Sequence, residues 1–175
     1  MQISRGVMLG VAAMTVIVAA SNVLVQYPIN DWLTWGAFTY PVAFLVTDLT
    51  NRALGAAKAR QVVYAGFALA VVLSIVLATP RIAIASGLAF LVAQLLDVYI
   101  FDRMRRTARW WTPPLVSSSI ASAVDTALFF SVAFVGTGVP WVTLGLGDYA
   151  VKLALALAML IPFRALMHFA RPQRA

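Results

Sequence analysis

Apolar runs recur along the whole chain, and they limit its possible folds more than any motif does. Each run has roughly 17 to 21 residues, about the length that an α-helix needs to cross ~30 Å of hydrocarbon. The chain is 62% hydrophobic and only 11% charged, and its mean hydropathy is +0.90. These values are typical of a membrane protein rather than of a soluble one. We therefore expect an all-α, polytopic membrane protein embedded in a lipid bilayer.

The apolar runs predict six transmembrane helices in a single domain that covers residues 1–175. The predicted spans are residues 7–26, 33–49, 62–79, 82–101, 113–135 and 144–167. Turn-forming residues separate them, as in Tyr-Pro-Ile-Asn-Asp at 27–31 and Gly-Thr-Gly-Val-Pro at 136–140. The second span is the shortest and contains Pro41. Because the spans leave no room for a soluble domain, we expect one helical bundle.

The distribution of lysine and arginine predicts the orientation of this bundle. With both termini in the cytoplasm, 11 of the 13 basic residues fall on the inner side. They are Arg5, Arg52, Lys58, Arg60, Arg103, Arg105, Arg106, Arg109, Arg164, Arg171 and Arg174. Of the other two, Arg81 falls in an outer loop and Lys152 falls within a span. Since cytoplasmic loops are enriched in lysine and arginine, we expect six spans with N-in and C-in topology.

Two other interpretations of the charged segments are weaker. Residues 7–20, which follow Arg5, resemble a secretory signal, but its cleavage would leave five spans and move the basic loops to the wrong side. The basic and aromatic run at 103–111 resembles a nucleic-acid patch. A cytoplasmic loop near anionic headgroups, with Trp110 and Trp111 at the interface, explains that run better. We expect no direct nucleic-acid partner.

The missing residue types exclude most enzyme chemistry. The chain has no cysteine, its acidic residues are all aspartates, and its one histidine, His168, follows the last span. Disulfides, thiolate metal sites and a serine–histidine–aspartate set are therefore excluded. No phosphate-binding glycine loop and no nucleotide-binding motif of a coupling ATPase is evident. We expect a protein that is not an enzyme and that has no cofactor or metal site.

Polar residues at membrane depth, near the outer ends of the spans, form a predicted outer layer. They are Asn22, Gln26, Asp125, Asp148 and Lys152. At 1.5 Å per residue, Asn22, Asp125 and Lys152 lie roughly 8 to 12 Å below the outer surface, with the other two nearer the edge. Ionisable groups at such depth are costly, so they usually face a bundle interior, a partner or a water-filled path. A polar pocket reached from outside favours transport.

Lys152 has two alternative partners in this layer. Asp148 lies four residues before it on the same helix face, whereas Asp125 comes from another span at nearly the same depth. The charges could simply hold the fifth and sixth helices together. The number of polar groups exceeds what one such contact requires, which favours a pocket shared between spans.

A second polar layer is predicted roughly 6 to 10 Å above the inner surface. It contains Asp48, Gln94 and Asp97, with Arg52 and Arg103 close by. The aspartates could pair with these arginines at the cytoplasmic mouth. We expect either a cytoplasmic gate or a packing network centred on Asp48, Arg52 and Asp97.

Small hydroxyls and outer aromatic rings give weaker signals. The serine-rich stretch 117–122 in the fifth span is typical of close helix packing, and small residues there would also permit a homodimer. Trp35, Phe38 and Tyr40 lie at the outer end of the second span, as in an interfacial aromatic belt. They could also supply a stacking face above the outer layer.

Segments spread over nearly the whole chain share motifs with one family of membrane proteins. They are Asn22-Val-Leu-Val-Gln26-Tyr-Pro28, Thr34-Trp-Gly-Ala-Phe-Thr-Tyr-Pro41, Thr47-Asp-Leu-Thr-Asn-Arg52 with Gly55, Ala93-Gln94-Leu-Leu-Asp97-Val with Phe101 and Arg103, Arg109-Trp-Trp-x-Pro, Ser122-x-x-Asp125-Thr-x-x-Phe-Phe and Asp148-Tyr-x-x-Lys152. These segments resemble the bacterial queuosine precursor transporters, also called the VUT family. The chain departs from longer relatives in its short connection between the third and fourth spans and in its minimal C-terminal tail.

The resemblance implies an importer in the bacterial cytoplasmic (inner) membrane. Its substrates would be 7-cyano-7-deazaguanine and/or 7-aminomethyl-7-deazaguanine, salvaged for the queuosine modification of tRNA. The resemblance also implies a six-helix fold similar to the S components of energy-coupling factor vitamin transporters, with the ligand toward the outer side. One alternative is a vitamin-type S component that needs a separate coupling module. Another is a non-transporting membrane assembly protein whose buried charges only hold helices together.

A deazaguanine suits the outer layer chemically. Its adjacent ring N–H and amino donors match a carboxylate, its carbonyl matches a lysine or amide donor, and its flat face matches an aromatic ring. We therefore predict substrate contacts from Asn22, Gln26, Trp35, Phe38, Gln94, Asp125, Asp148 and Lys152, with Gln94 ranked second. Without a coupling ATPase in the chain, uptake would be facilitated, ion-coupled or driven by separate subunits.

Overall fold

The computed structural model describes residues 5–168, with the side chains of residues 70, 73 and 77 excepted. The helices are α1 (Arg5–Leu24), α2 (Gly36–Thr39), α3 (Pro41–Leu54), α4 (Ala56–Leu77), α5 (Pro80–Met104), α6 (Thr112–Phe134), α7 (Trp141–Ala158) and α8 (Leu160–Leu166). A short antiparallel hairpin of β1 (Pro28–Asn30) and β2 (Leu33–Thr34) joins α1 to α2. The predicted helical class is confirmed, with this hairpin as the exception.

Five helical stretches in the described part of the chain are long and apolar enough to cross a membrane. They are α1, α4, α5, α6 and the stretch Trp141–Leu166 that α7 and α8 form together. The second predicted span corresponds to α2 and α3, which have 4 and 14 residues and are separated at Tyr40. Pro41 is the first residue of α3, where its missing N–H leaves no helical hydrogen bond unmade. The described residues thus contain five long apolar helical stretches and one broken pair, as in a multi-pass membrane protein.

Several predicted boundaries are wrong because hydropathy and helix formation end at different residues. α4 begins at Ala56, well before the predicted start at Val62, since the polar segment around Lys58 continues the helix outside the apolar run. The second predicted span was expected to begin as a helix at Leu33, but β2 occupies that position. The last span begins at Trp141 instead of residue 144.

Apolar side chains cover the outside of the bundle. Leu9, Val76 and Ile161 are each more than two-thirds exposed, while Asp125 and Lys152 are buried. This distribution is the reverse of that in a soluble protein and fits a hydrocarbon environment.

Small residues allow close approach between neighbouring helices. A Cβ on Gly66 of α4 would lie 2.6 Å from Cγ of Met14 on α1, so only glycine fits there without a shift. Ser117 and Ser118 of α6 are buried where α5 and α6 pack. The packing interpretation of the serine-rich stretch therefore holds, and these two serines offer no face to a second copy of the chain.

The sequence placed Arg81 in an outer loop, but in the structure it belongs to α5 and is hydrogen-bonded. It occupies the first turn of α5 and donates to the last carbonyl groups of α6: Nε to Val132 O at 2.9 Å and a terminal nitrogen to Val135 O at 2.5 Å. Two other cations used for the orientation, Arg171 and Arg174, lie outside the described residues.

Candidate functional site

A polar cleft lies between α1, α2, α5, α6 and α7. Its lining consists of Ser21, Asn22, Val25, Gly36, Tyr40, Ser86, Asp125, Phe129, Asp148 and Lys152. The free space is about 30 Å³, room for about two water molecules. Including its mouth and the gaps between lining atoms, the empty volume is about 350 Å³.

Lys152 joins the two aspartates of this cleft. Its Nζ lies 2.7 Å from Asp125 Oδ2 on α6 and 2.5 Å from Asp148 Oδ2, one turn earlier on α7. It also donates to Thr126 Oγ1 at 3.1 Å, and Thr126 in turn donates to Asp148 Oδ2 at 2.7 Å. The two pairings that the sequence offered are therefore both made. Asp148 is buried in the same cluster as Asp125, and the ammonium is shared between helices.

Asn22 connects three helices at the cleft. Its Nδ2 donates to Ser74 Oγ on α4, and its Oδ1 accepts from Ser86 Oγ on α5. The amide is 3% exposed, so both of its ends are satisfied inside the bundle.

Tyr40 supplies an aromatic wall next to the charges. Lys152 Nζ lies 5.1 Å from the centre of its ring, within cation–π range. The Tyr40 hydroxyl is buried and lies close to the Asp125 carboxylate. Tyr40 therefore places both a ring face and a hydroxyl beside the charged cluster.

The structure brings half of the predicted binding residues into the cleft. Those residues are Asn22, Asp125, Asp148 and Lys152. Gln26 lies one turn away and donates to the backbone O of Asn22 at 2.8 Å. Trp35 and Phe38 are 54% and 44% exposed and pack against each other, with 6.3 Å between ring centres. Neither ring lines the cleft.

Gln94 belongs to the inner half of the bundle. It is fully buried on α5 and accepts a hydrogen bond of 2.5 Å from Thr47 Oγ1 on α3. Its position agrees with the predicted inner layer and separates it from the cleft lining.

The inner layer is only partly as predicted. Asp48 on α3 and Asp97 on α5 are buried with their carboxyl groups side by side, next to the Ser118 hydroxyl. Within residues 5–168, neither aspartate forms an ion pair with an arginine. Arg52 lies near the cation of Arg105 instead. The possible pairing of these aspartates with arginines is therefore not made in the described residues, and the inner gate stays a prediction.

Sequence reasoning missed the hydroxyl groups of the cleft. Ser74, Ser86 and Thr126 each bind a predicted site residue, and Tyr40 was predicted only as part of the interfacial belt or of a stacking face above the outer layer. A single hydroxyl in an apolar helix is too common to signal a site. Its only available signal was depth, since Ser86 and Thr126 fall near the levels of Asn22 and Asp125.

Comparison with known proteins identifies the family. Residues 34–79 and 71–167 match the profile of a family described as "Putative vitamin uptake transporter". A "Queuosine precursor transporter" of Escherichia coli (strain K12) is 33% identical over 174 residues, which cover 83% of this chain and 79% of the relative. The chain belongs to the queuosine precursor transporter family.

Other members of the queuosine precursor transporter family are similarly related. A "Probable queuosine precursor transporter" of Haemophilus influenzae is 36% identical, in an alignment that covers 83% of this chain and 79% of the relative. One of Bacillus subtilis is 29% identical over 156 residues, covering 73% and 68%. These relatives are named as transporters, which confirms the prediction that the chain is not an enzyme. No solved structure is significantly similar to the chain.

Proposed function

We propose that the protein imports queuosine precursors across the bacterial inner membrane and binds them in the cleft around Lys152. The substrates are 7-cyano-7-deazaguanine and/or 7-aminomethyl-7-deazaguanine, taken up for the queuosine modification of tRNA. The observation that carries this proposal is the buried cluster of Asp125, Asp148 and Lys152 beside Tyr40, in a chain related to named queuosine precursor transporters.

The chemistry of the cleft supports a guanine-like ligand. The carboxylates of Asp125 and Asp148 can accept from the ring N–H and the amino group, while Lys152 can donate to the carbonyl. A ligand that inserts between these groups replaces ion-pair contacts with hydrogen bonds of its own, so the buried charges remain paired. Tyr40 and Phe129 offer rings against which a flat base can pack.

The cleft must widen to hold such a ligand. Its free space of about 30 Å³ accommodates only about two water molecules. Widening requires side chains to turn, because α6 and α7 are held together by the Lys152 cluster. We infer that Trp35 and Phe38, exposed beside the hairpin, meet the substrate during entry, while Gln26 positions Asn22.

A binding titration tests the proposal. Purified protein is titrated with 7-cyano-7-deazaguanine, 7-aminomethyl-7-deazaguanine, queuine and guanine in a calorimeter. We expect saturable binding of at least one of the two precursors and weaker binding of guanine. The matched variants are Asp125→Asn, which should lower affinity, and Asp102→Asn, which removes a carboxylate far from the cleft and should not. No saturable binding to any of the four compounds would refute the proposal.

Uptake by the protein alone distinguishes the modes of transport. In liposomes that contain only this chain, entry of radiolabelled precursor would reject a vitamin-type S component that depends on a coupling module. Binding without uptake would support that dependent mode. A membrane assembly protein would neither bind nor transport the precursors.

A further inference from the structure

The Asp48–Asp97 pair lies in the inner half of the bundle, away from the cleft lining. The side chains are 2% and 0% exposed and come from different helices, α3 and α5. Their carboxyl groups lie side by side, with the hydroxyls of Ser117 and Ser118 on α6 beside them. Three helices therefore converge on two carboxyl groups that the cleft does not use.

Among the described residues, no cation is paired with these two aspartates. On the helices packed against them, the charged side chains at the inner end are Arg5, Arg52, Lys58, Arg60, Asp102, Arg103 and Arg164, Lys152 lies farther out in the cleft, and α6 contributes only hydroxyls. Within residues 5–168, none of them forms an ion pair with Asp48 or Asp97. Two adjacent carboxylates in a low-dielectric interior repel each other too strongly for both to remain ionised without a bound cation.

Several oxygen atoms around the pair make no hydrogen bond within the described residues, although the hydroxyls of Ser117 and Ser118 lie beside it. Asp48 Oδ1, both carboxyl oxygens of Asp97, Asn51 Oδ1 and Ser117 Oγ are buried without a hydrogen-bond partner. Leaving buried acceptors unpaired costs about 1–3 kcal/mol each. A proton on one carboxyl removes a negative charge and supplies a donor between the two carboxyl groups, because the protonated oxygen can donate to the neighbouring carboxylate.

A second small cavity connects this region to Lys152. It has about 10 Å³ of free space, close to the volume that one water molecule requires. Its lining is mostly apolar but includes Asp48, Ser118, Ser122 and Lys152, and Lys152 also lines the polar cleft. The side chain of Lys152 thus lies between the cleft and a small cavity that reaches Asp48 of the pair.

We propose that the Asp48–Asp97 pair binds one proton and that this proton is coupled to substrate import. The proton enters with substrate from the outer side, bonds to one carboxylate oxygen and donates a hydrogen bond to the other carboxyl group. In that state α3 and α5 are held together at the inner end. Release of the proton to the cytoplasm leaves two negative charges that repel, so α3 and α5 separate and substrate leaves inward. The coupling rests on the proposed function, whereas the proton site itself does not.

Infrared spectroscopy of the purified protein tests the proton site without substrate. We expect a protonated-carboxyl C=O stretching band at neutral pH that disappears in Asp48→Asn/Asp97→Asn and persists in Asp102→Asn. If the double variant does not fold, the band should persist in Asp125→Asn and in Asp148→Asn. Its persistence there excludes the cleft aspartates and assigns the band to the Asp48–Asp97 pair. A wild-type protein without the band, or a band lost only with Asp125 or Asp148, would overturn the proposal. Stabilisation of a band-free protein by sodium ions would identify a metal cation in place of the proton.

Transport under an imposed pH gradient tests the coupling. With one proton per substrate, an inward gradient of one pH unit can support about tenfold accumulation of labelled precursor. We expect Asp48→Asn/Asp97→Asn to lose this accumulation but to retain precursor binding in the calorimeter, because two neutral amides cannot repel each other and separate α3 from α5. Equal accumulation with and without the gradient in wild type, or accumulation retained by the double variant, would overturn the coupling. Wild type that neither binds nor exchanges precursor would refute the proposed function, and the infrared band would still decide the proton site.

Discussion

Lys152 contacts two carboxylates on two helices, and its removal should affect both stability and binding. Lys152→Met leaves Asp125 and Asp148 together without a cation, and breaking a buried ion pair in this way typically costs about 3–5 kcal/mol. We expect a lower melting temperature in detergent. We also expect precursor affinity to fall at least about tenfold, because a hydrogen bond to a charged group contributes about 1.5–3 kcal/mol. Thermal unfolding and titration calorimetry measure the two effects.

A double variant separates helix pairing from substrate binding. Lys152→Met/Asp125→Asn restores the formal charge of the cluster, and Asp148 keeps its hydrogen bond from Thr126. We expect most of the lost stability to return while affinity stays low. A double variant that folds and binds precursor like the wild type would show that these charges only hold α6 and α7 together.

Depth in the membrane predicted the charged half of the cleft and missed the rest. Asn22, Asp125 and Lys152 could be found because a polar group at that depth must turn toward the interior. Tyr40 and Trp35 both lie at an outer helix end, yet Tyr40 is buried against Lys152 and Trp35 is exposed. That difference depends on how each segment is rotated, and only packing against other helices fixes the rotation.

At the scale of helices, Arg81 links the start of α5 to the end of α6. Its guanidinium donates to the carbonyl oxygen of Val132 in the last turn of α6 and to that of Val135, the residue that follows the helix. Arg81→Ala should therefore lower the free energy of unfolding by about 1.5–3 kcal/mol and leave precursor affinity unchanged. Arg60→Ala, at an exposed position on α4, serves as the matched control. Equal melting temperatures for the two variants would contradict the capping role.

The hairpin contacts α7 through backbone atoms. A Cβ on Gly147 would lie 1.8 Å from the carbonyl oxygen of Trp32, and Thr143 donates to Asp31 O at 2.8 Å. Gly147→Ala must displace the hairpin, at a cost of about 1–3 kcal/mol. Because Asp148 follows directly, we expect faster amide exchange in residues 28–35 and weaker precursor binding, measured by hydrogen–deuterium exchange and calorimetry.

Gly145→Ala provides the control for this contact on the same helix. Its added Cβ would make only ordinary contacts at 3.7 Å with Phe130 and Thr126. We expect wild-type exchange in the hairpin of this variant. Equal exchange rates in the two alanine variants would contradict the role of the Trp32 carbonyl.

The elements were predictable where hydropathy alone determines them. α1, α5 and α6 begin and end within a few residues of the predicted spans, because their apolar runs coincide with the helices. The start of α4 was missed since Lys58 and Arg60 lower hydropathy without interrupting the helix. The hairpin was missed because its strands, β1 and β2, have 3 and 2 residues, too few to show alternation.

At the scale of the whole molecule, the cleft and the carboxyl pair share helices. α5 carries Ser86 at the cleft and Asp97 in the carboxyl pair. α6 carries Asp125 at the cleft and Ser118 beside the carboxyl pair. A shift of either helix that widens the cleft therefore also changes the separation of the inner carboxyl groups. Such a shared element provides the physical link that coupling between two sites requires.

The broken pair α2 and α3 determines which side of the membrane each later loop faces. Stacked end to end with Tyr40 between them, the 4-residue and 14-residue helices extend about 28 Å, close to the ~30 Å of a hydrocarbon core. If the pair crosses, residues 55–60 return to the side of Arg5, in agreement with the excess of basic residues there. If the pair turns back, every later loop is reversed.

Single cysteines decide between these topologies, because the chain has no cysteine that would react in the background. We expect Asn30→Cys and Thr137→Cys to react with a membrane-impermeant maleimide in right-side-out spheroplasts. Ala57→Cys and Thr107→Cys should react only after permeabilisation, since six crossings place both on the cytoplasmic side. All four positions are exposed, so a lack of labelling reports sidedness and not burial. Labelling of Ala57→Cys from outside, together with Asn30→Cys, would show that α2 and α3 do not cross the membrane.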